Sequence, residues 1–303
     1  MEGLVLKSTG SWYWINTEAG VIKSRLRGKF KLVNKKITNP IAVGDRVRIE
    51  LLSTDDWIIT EILPRTNYVV RESPRKRGHH HLIAANVDQA MLITSLRQPR
   101  TSLGFIDRFF VTLEAFRIPG ILVINKTDLY TDQEKEALAY TAGIYEEIGY
   151  RTIFTSFEHG DVDVLPELLE GQVTLLSGHS GTGKSTLVNL LDTGQDQKTN
   201  EVSDFADKGV HTTTFAEMFP LSGSGFIIDT PGIKELGLAE IAPSELSHYF
   251  PEMRKHIGEC RFNNCLHMGE PGCAIMEALE AGEIAESRFE SYLSMMENDD
   301  NRR

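Results

Sequence analysis

The sequence lacks any apolar run close to the roughly 20 residues that a membrane-spanning helix needs. Its first residues, MEGLVLKSTG, also lack the basic and then apolar plan of a secretory signal peptide. Cysteine is scarce: Cys260, Cys265 and Cys273 are the three present, and they lie within fourteen positions. This clustering favours a metal site in a reduced compartment over disulfides. We therefore expect a cytoplasmic protein with no membrane partner.

The chain has 303 residues, of which 41% are apolar and 25% charged, so it can bury a sizeable core in two or three domains. Its net charge of −11 is distributed unevenly along the sequence, because residues 1–80 carry 15 Lys and Arg against 8 Asp and Glu. A basic amino-terminal part on an acidic protein is typical of a polyanion-binding surface or of a solvated basic face.

Residues 1–66 contain short β-prone segments separated by Gly, Asn and Pro. Several short strands in so few residues predict a small closed barrel, for which the OB-fold is the usual nucleic-acid-binding version. Three neighbouring aromatic residues, Trp12, Tyr13 and Trp14, could stack on bases. Alternation along a strand predicts, however, that at least one of these rings points into the barrel.

Residues 67–82 contain several Arg and Lys but few apolar residues after Val70, which predicts a mobile basic linker. Such a run either contacts phosphates or adds solubility, and its position after a basic barrel favours phosphate contact. The three histidines at 79–81 could bind a metal, although we expect them to belong to the solvated linker.

Strand and helix patterns alternate from residue 83 to residue 237, which predicts an α/β domain with a mostly parallel sheet covered on both faces. Residues 238–303 have a helical, acidic pattern around the cysteines. The sequence therefore predicts a barrel, a linker, an α/β domain and a small helical domain.

The stretch GHSGTGKS fits the pattern Gly-x4-Gly-Lys-Ser, follows the apolar strand VTLL and opens the helix KSTLVNLL. Its glycines allow backbone N–H groups to turn inward and bind phosphates at a helix N-terminus. We expect Lys184 to contact the β- and γ-phosphates and the Ser185 hydroxyl to coordinate Mg²⁺. The predicted phosphate-binding residues are Gly178, His179, Ser180, Gly181, Thr182, Gly183, Lys184, Ser185 and Thr186.

The stretch FIIDTPG places Asp229 at the end of a second apolar strand, where its carboxylate can hold Mg²⁺ through water. The N–H of Gly232 can bond the γ-phosphate. In the preceding loop KGVHTTT, Thr212 or Thr213 could give Mg²⁺ a second protein oxygen, and the sequence leaves this choice open. We select Thr213, with Ser185 and Asp229, as the magnesium set.

The residues Asn125, Lys126, Thr127 and Asp128 follow the apolar strand ILVI, so they should lie at the carboxyl end of a strand, where α/β sheets bind ligands. The motif is typical of guanine recognition: a carboxylate accepts from the N1–H and N2–H₂ groups, which adenine does not offer. The stem of Lys126 can cover the ring.

Thr155 ends the next strand-like segment, RTIFT, and Ser156 follows it. They fall where GTPases place a second base-facing loop.

The order of these motifs is reversed, because in an ordinary GTPase the base-reading motif follows the phosphate loop. Strand pairing does not require a particular chain start, so a domain tolerates circular permutation at exposed loops. We therefore predict a circularly permuted GTPase domain in which Asp128 and Lys184 hold opposite ends of one GTP.

The carboxyl-terminal pattern Cys-x4-Cys-x-His-x5-Cys supplies four soft ligands, Cys260, Cys265, His267 and Cys273. Four protein ligands can close a tetrahedral Zn²⁺ site with no position left for water, which is typical of a structural site. Metal binding would then support folding of this segment.

The barrel, NKTD ahead of GHSGTGKS, HTTT, DTPG and the Cys/His spacing together resemble the RsgA (YjeQ or YloQ) family of circularly permuted GTPases of small-subunit ribosome biogenesis. The resemblance implies a GTP-hydrolysing late assembly factor that binds the small ribosomal subunit and its rRNA through the OB and zinc domains. It also implies stimulation by the subunit and release after hydrolysis.

The resemblance further implies that His211 of the HTTT loop is catalytic. Ile233 stands where many GTPases carry a glutamine that orients water, and an isoleucine cannot do so.

Two other functions remain open from the residues alone. One is a nucleotide-gated RNA-binding module in which hydrolysis is incidental, and the other is an RNA-modifying or translation factor. We expect a monomer in each case.

Overall fold

A computed structural model describes residues 1–27, 37, 39–53, 56–72, 79–192, 216–230 and 241–297. The strands of these ranges are β1 (Glu2–Ser8), β2 (Trp12–Thr17), β3 (Gly20–Leu26), β4 (Arg46–Ser53), β5 (Asp56–Ile62), β6 (Tyr68–Glu72), β7 (His80–Ala85), β8 (Gln89–Thr94), β9 (Gly120–Ile124), β10 (Arg151–Phe154), β11 (Val173–Ser177), β12 (Glu217–Pro220) and β13 (Phe226–Asp229). The helices are α1 (Leu103–Phe116), α2 (Asp132–Glu147), α3 (Leu165–Leu169), α4 (Lys184–Asp192), α5 (Pro251–Arg254), α6 (Ala274–Glu280) and α7 (Glu286–Met296), with 3₁₀ turns at Thr127–Leu129, Phe157–His159 and Pro243–Tyr249.

Strands β1 to β5 form the predicted amino-terminal barrel. Strand β1 pairs with both β2 and β4, and β3 pairs with β5, so the sheet closes on itself. Alternation along β2 buries Tyr13 and leaves 40% of the Trp12 side chain exposed, which confirms that at least one of the three rings faces the core. The barrel core consists of Val5, Tyr13, Ile15, Ile41, Val47, Ile49 and Ile59.

The described part of residues 67–82 differs from the predicted mobile linker. Strands β6 and β7 pair as an antiparallel hairpin, and His80 is buried within β7. The reason is apolar burial: Val69 and Ala84 pack into the core beside the central sheet, and Leu82 is held by Asn39. The prediction of solvated histidines is therefore wrong for His80.

The central sheet has the strand order β10-β9-β8-β11-β13-β12, and all pairings except that of β12 with β13 are parallel. Side-chain alternation sends Leu92 and Leu122 to the face covered by α1. It sends Ile93 and Val123 to the opposite face, where Leu187 of α4 packs. Both faces are therefore buried, as the sequence predicts for a parallel sheet.

Local sequence sets the starts of the two long helices that flank this sheet. The Ser102 side chain accepts a hydrogen bond from the Phe105 N–H and so caps α1. Thr131 and Glu134 form a reciprocal capping box at the start of α2. These caps fix the helices that follow β8 and the NKTD turn.

The barrel and the central sheet are joined at one edge. Strand β1 pairs antiparallel with β12, with Lys7 opposite Glu217. The Lys7 ammonium also lies 2.9 Å from the Glu217 carboxylate. The two sheets are consequently continuous, a connection that the sequence did not predict.

The carboxyl-terminal helices pack on α1 through a buried ionic cluster. The Arg288 guanidinium lies 2.7 Å from both Asp107 of α1 and Glu252 of α5. Tyr145 of α2 donates to Asp107 at 2.7 Å. Burial by itself would lower the pKa of Arg288, but the two carboxylates outweigh it and raise that pKa.

Across the described ranges, no helix has the length and apolarity to cross a membrane.

Candidate nucleotide and metal sites

The GHSGTGKS turn connects β11 to α4 and needs glycine at two positions. Gly178 has φ +141°, and a Cβ there would lie 2.1 Å from the Ile93 oxygen. Gly183 has φ +109°, and its Cβ would lie 2.3 Å from Nδ2 of Asn125. Both the left-handed backbone and the close neighbours therefore exclude a side chain. The backbone is free to turn its N–H groups towards a ligand, as the motif requires.

Lys184 is folded over the turn that contains these glycines. Its Nζ donates to the Gly178 oxygen at 2.7 Å and to the His179 oxygen at 2.8 Å. Burial lowers the pKa of Lys184, and the Asp229 carboxylate opposes that shift. An anionic phosphate would stabilise the charged ammonium, so the site is suited to such a ligand.

Asp229 ends β13 next to the phosphate loop, because its partner in the parallel register with β11 is Leu176. Burial raises the pKa of Asp229, and Lys184 acts in the opposite direction. Ser185 is exposed in the first turn of α4. Carboxylate and hydroxyl oxygens are suitable for Mg²⁺, which supports the predicted residue types.

Asn125 connects the two loops that the sequence assigned to base and phosphate. Its Nδ2 donates to the Thr182 oxygen at 2.8 Å. Its Oδ1 accepts from the Phe157 N–H at 3.0 Å and from Thr155 Oγ1 at 3.2 Å. Asn125 is 2% exposed, so these bonds form away from water. The segment around residue 125 and the segment around residue 182 thus belong to one site.

Asp128 lies exposed at the edge of this site, on the 3₁₀ turn after Lys126. Ser156 Oγ donates a hydrogen bond to Asp128 Oδ1. That bond, first of several contributions, lowers the pKa of Asp128 and favours an ionised acceptor. A carboxylate in this place can accept two N–H groups from a guanine edge.

The remaining members of the NKTD motif hold the turn in shape. Lys126 adopts a left-handed conformation, and its Nζ donates to the Gln98 oxygen at 2.6 Å. Thr127 Oγ1 donates to the Thr155 oxygen at 3.0 Å. The structure therefore brings together the predicted residues of the NKTD motif, the Thr155–Ser156 loop and the phosphate loop.

Four of the predicted site residues, His211, Thr212, Thr213 and Gly232, lie outside the described residues, as does Ile233.

The predicted zinc ligands converge at the carboxyl-terminal end. The candidate ligand atoms of Cys260, Cys265, His267 and Cys273 all lie within 4.8 Å of one another. The Cys260 and Cys273 sulfurs are 4.0 Å apart, and His267 Nδ1 lies 3.4 Å from the Cys273 sulfur. Two sulfur ligands of a tetrahedral zinc with bonds of about 2.3 Å lie about 3.8 Å apart. The cluster could therefore hold a zinc ion.

The surroundings of this cluster fix the turn that carries it. The Glu270 carboxylate accepts from the Leu266 and Met268 N–H groups at 2.8 and 2.7 Å. The Tyr292 hydroxyl donates to the Leu266 oxygen at 2.6 Å. Burial raises the pKa of Cys265 to about 12, so zinc binding at neutral pH would displace a proton from this thiol.

Comparison with known proteins identifies the family. A family model described as RsgA GTPase matches residues 62–239. A second, described as RsgA N-terminal domain, matches residues 2–59. The chain belongs to the RsgA family.

Relatives of RsgA type match the chain along its length. A protein of Cytophaga hutchinsonii named small ribosomal subunit biogenesis GTPase RsgA is 51% identical, with 100% of both chains covered. A protein of the same name from Bacteroides fragilis is 47% identical, with 98% of this chain and 97% of the relative covered.

Two solved structures share the fold of this RsgA-family chain. The YjeQ crystal structure from Thermotoga maritima has a TM-score of 0.79 and 34% identity, covering 100% of this chain and 99% of that one. The structure of YloQ, described as a circularly permuted GTPase, has a TM-score of 0.73 and 31% identity, covering 100% and 96% of the two chains. These matches confirm the predicted fold class, including the permutation.

Sequence reasoning missed two side chains at the candidate nucleotide site of this RsgA-family chain. His159 contacts Ser156, and Phe105 of α1 packs its ring on His179, with centroids 4.2 Å apart. Neither residue belongs to a motif. An isolated aromatic residue gives no sequence signal until the fold places it beside the loop.

Proposed function

We propose that this chain hydrolyses GTP to GDP and phosphate as a late assembly factor of the small ribosomal subunit, and that hydrolysis releases it. The contact of Asn125 with Thr182 carries the nucleotide part of this proposal, because it joins the base and phosphate loops in one site. The relatives' shared name, small ribosomal subunit biogenesis GTPase, supports the partner.

Within the nucleotide site, Asp128 accepts the N1–H and N2–H₂ groups of guanine. Lys184 leaves the loop carbonyls that it now contacts and binds the β- and γ-phosphates. Ser185, Thr213 and Asp229 are the proposed magnesium residues, partly through water. Bound Mg²⁺ would neutralise charge on the phosphate oxygens.

The resemblance to the RsgA family supports His211 as the residue that positions the attacking water. Ile233, where many GTPases carry a glutamine, cannot take this role. Alone, the enzyme is expected to be slow, and binding to the small subunit is expected to stimulate it by positioning His211 and the attacking water. The N–H of Gly232 is the proposed donor to the γ-phosphate.

The outer face of the barrel supports rRNA binding. The Lys23 ammonium lies 4.6 Å from the Trp12 ring centroid and 5.4 Å from that of Trp14. The exposed Trp12 ring and the half-buried Trp14 ring, with a cation beside both, suit stacking on unpaired bases and contact with phosphates. The zinc domain is the second proposed rRNA contact, with one structural Zn²⁺.

We propose a cytoplasmic monomer, which suits a ribosome-assembly factor.

The test is GTP hydrolysis by the full chain with and without purified small subunits, at several salt concentrations. We expect stimulation by the subunits that weakens steeply as salt rises, because contacts between basic groups and phosphates release counterions. Absence of stimulation at low salt, together with RNA affinity that GTP does not change, would favour a binding module in which hydrolysis is incidental.

A further inference from the structure

His159 ends the 3₁₀ turn Phe157–His159 and faces the residue before that turn. Its Nδ1 lies 2.9 Å from Ser156 Oγ. The same Ser156 oxygen is hydrogen-bonded to Asp128 Oδ1. The three side chains therefore form a chain of contacts in which Ser156 is the middle member.

Counting protons assigns the direction of both bonds. A serine hydroxyl has one proton, and an ionised carboxylate can only accept. Ser156 must therefore donate to Asp128, which leaves its oxygen lone pairs facing His159. The contact with His159 is then a bond donated by Nδ1–H, which the neutral tautomer with that proton and the charged ring can both supply.

The burial of the three residues indicates where restraint is needed. Ser156 is buried, whereas Asp128 and His159 are exposed. An exposed carboxylate can adopt several orientations. Restricting it to one orientation when a ligand binds costs binding free energy. A hydroxyl whose proton points in a fixed direction reduces the number of orientations that the carboxylate adopts. A donor to the hydroxyl oxygen fixes the direction of that proton.

We propose that His159 is a positioning residue for guanine selectivity: it orients the Ser156 hydroxyl towards Asp128, and so orients the carboxylate that meets the N1–H and N2–H₂ edge. The inference rests on the proposed role of Asp128 in base binding. His159 itself does not contact the base. Its effect is carried by the geometry of Ser156 and Asp128.

The experiment compares affinities of GDP and IDP, measured by calorimetry on the full-length chain. IDP lacks the exocyclic amine from which Asp128 would accept a hydrogen bond. The ratio of the GDP and IDP affinities therefore reports how well the carboxylate is placed. We expect His159→Ala to weaken GDP binding by about 3- to 10-fold, the effect of one hydrogen bond, and to reduce the preference for GDP over IDP. In hydrolysis, KM should rise more than kcat changes.

Two further variants separate positioning from general damage. His159→Asn, whose side-chain NH₂ can stand where Nδ1–H was, should restore most of the GDP preference. Glu158→Ala, at a neighbouring exposed position of the same turn, should behave as wild type. A GDP-to-IDP affinity ratio in His159→Ala equal to that of wild type, with or without an equal loss of both affinities, would overturn the proposal.

Asp128→Asn, measured in parallel, tests the base site on its own. If that variant loses GDP preference while His159→Ala keeps it, the inference on His159 fails and the base site stands. If Asp128→Asn also keeps the wild-type preference, the assignment of Asp128 fails, and the inference on His159 fails with it.

Discussion

The side-chain nitrogen of Asn125 lies 2.8 Å from the main-chain oxygen of Thr182. These residues come from opposite sides of the permutation, since Asn125 follows β9 and Thr182 precedes α4. The bond makes the position of the base loop depend on that of the phosphate loop. It therefore shows how motifs in reversed order lie side by side at one candidate nucleotide site.

Asn125→Ala should separate the two loops. The change leaves the Phe157 N–H and the Thr182 oxygen without their partner, at a cost of about 1–3 kcal/mol for each buried group. We expect lower stability in urea unfolding and at least about tenfold weaker GDP binding. Asn189→Ala, at an exposed position of α4, is the matched control and should change stability by less than about 0.5 kcal/mol. Equal GDP affinity in both variants would contradict the proposed role of Asn125.

His211→Ala tests the proposed water-positioning residue. The variant should bind GTP as tightly as wild type, because the base and phosphate contacts come from other residues. Turnover stimulated by small subunits should fall by at least about tenfold, in line with the loss of a group that positions or activates water. Single-turnover hydrolysis at saturating subunit concentration is the measurement. Stimulated turnover equal to that of wild type would remove His211 from the mechanism.

Arg288→Met tests the buried ionic cluster that joins the carboxyl-terminal helices to α1. The substitution leaves the Asp107 and Glu252 carboxylates buried without their cation, which should cost about 3–5 kcal/mol in unfolding free energy. Arg254→Ala removes an ion pair with Glu114 at 2.9 Å, but its arginine side chain is 53% exposed. That control should cost no more than about 1 kcal/mol. Similar losses for both variants in denaturant titrations would show that burial does not set the strength of the cluster.

Cys273→Ser tests the proposed zinc site. Wild-type protein should contain one zinc per chain by elemental analysis, and the variant should lose most of it together with thermal stability. His256→Ala is the control, because His256 is near in sequence but pairs with Glu259 and Glu283 instead. A variant that retains full zinc occupancy would rule out Cys273 as a ligand.

The parts of the molecule that sequence predicted best are those where local pattern and chemistry agree. Apolar runs ending in NKTD and opening into GHSGTGKS placed β9, β11 and α4, because buried parallel strands and glycine turns depend on nearby residues. The Cys/His spacing predicted the candidate metal cluster, because its four residues lie close together in the sequence.

Features that depend on distant partners escaped sequence reasoning. The charge of residues 67–82 predicts a linker, although Val69 and Leu82 within this range are buried in the fold. Arg288 gave no signal of its own, since its carboxylate partners lie far away in the chain. Tertiary contacts, rather than local preference, decide such positions.

The pairing of β1 with β12 has a consequence for the integrity of the protein. A strand at the rim of a sheet offers unpaired N–H and C=O groups that can recruit other chains. The barrel shields part of β12, with Lys7 and Glu217 at the seam. Removing residues 1–66 would expose the edge of β12. The remaining fragment would then be prone to self-association, whether or not it can bind a nucleotide.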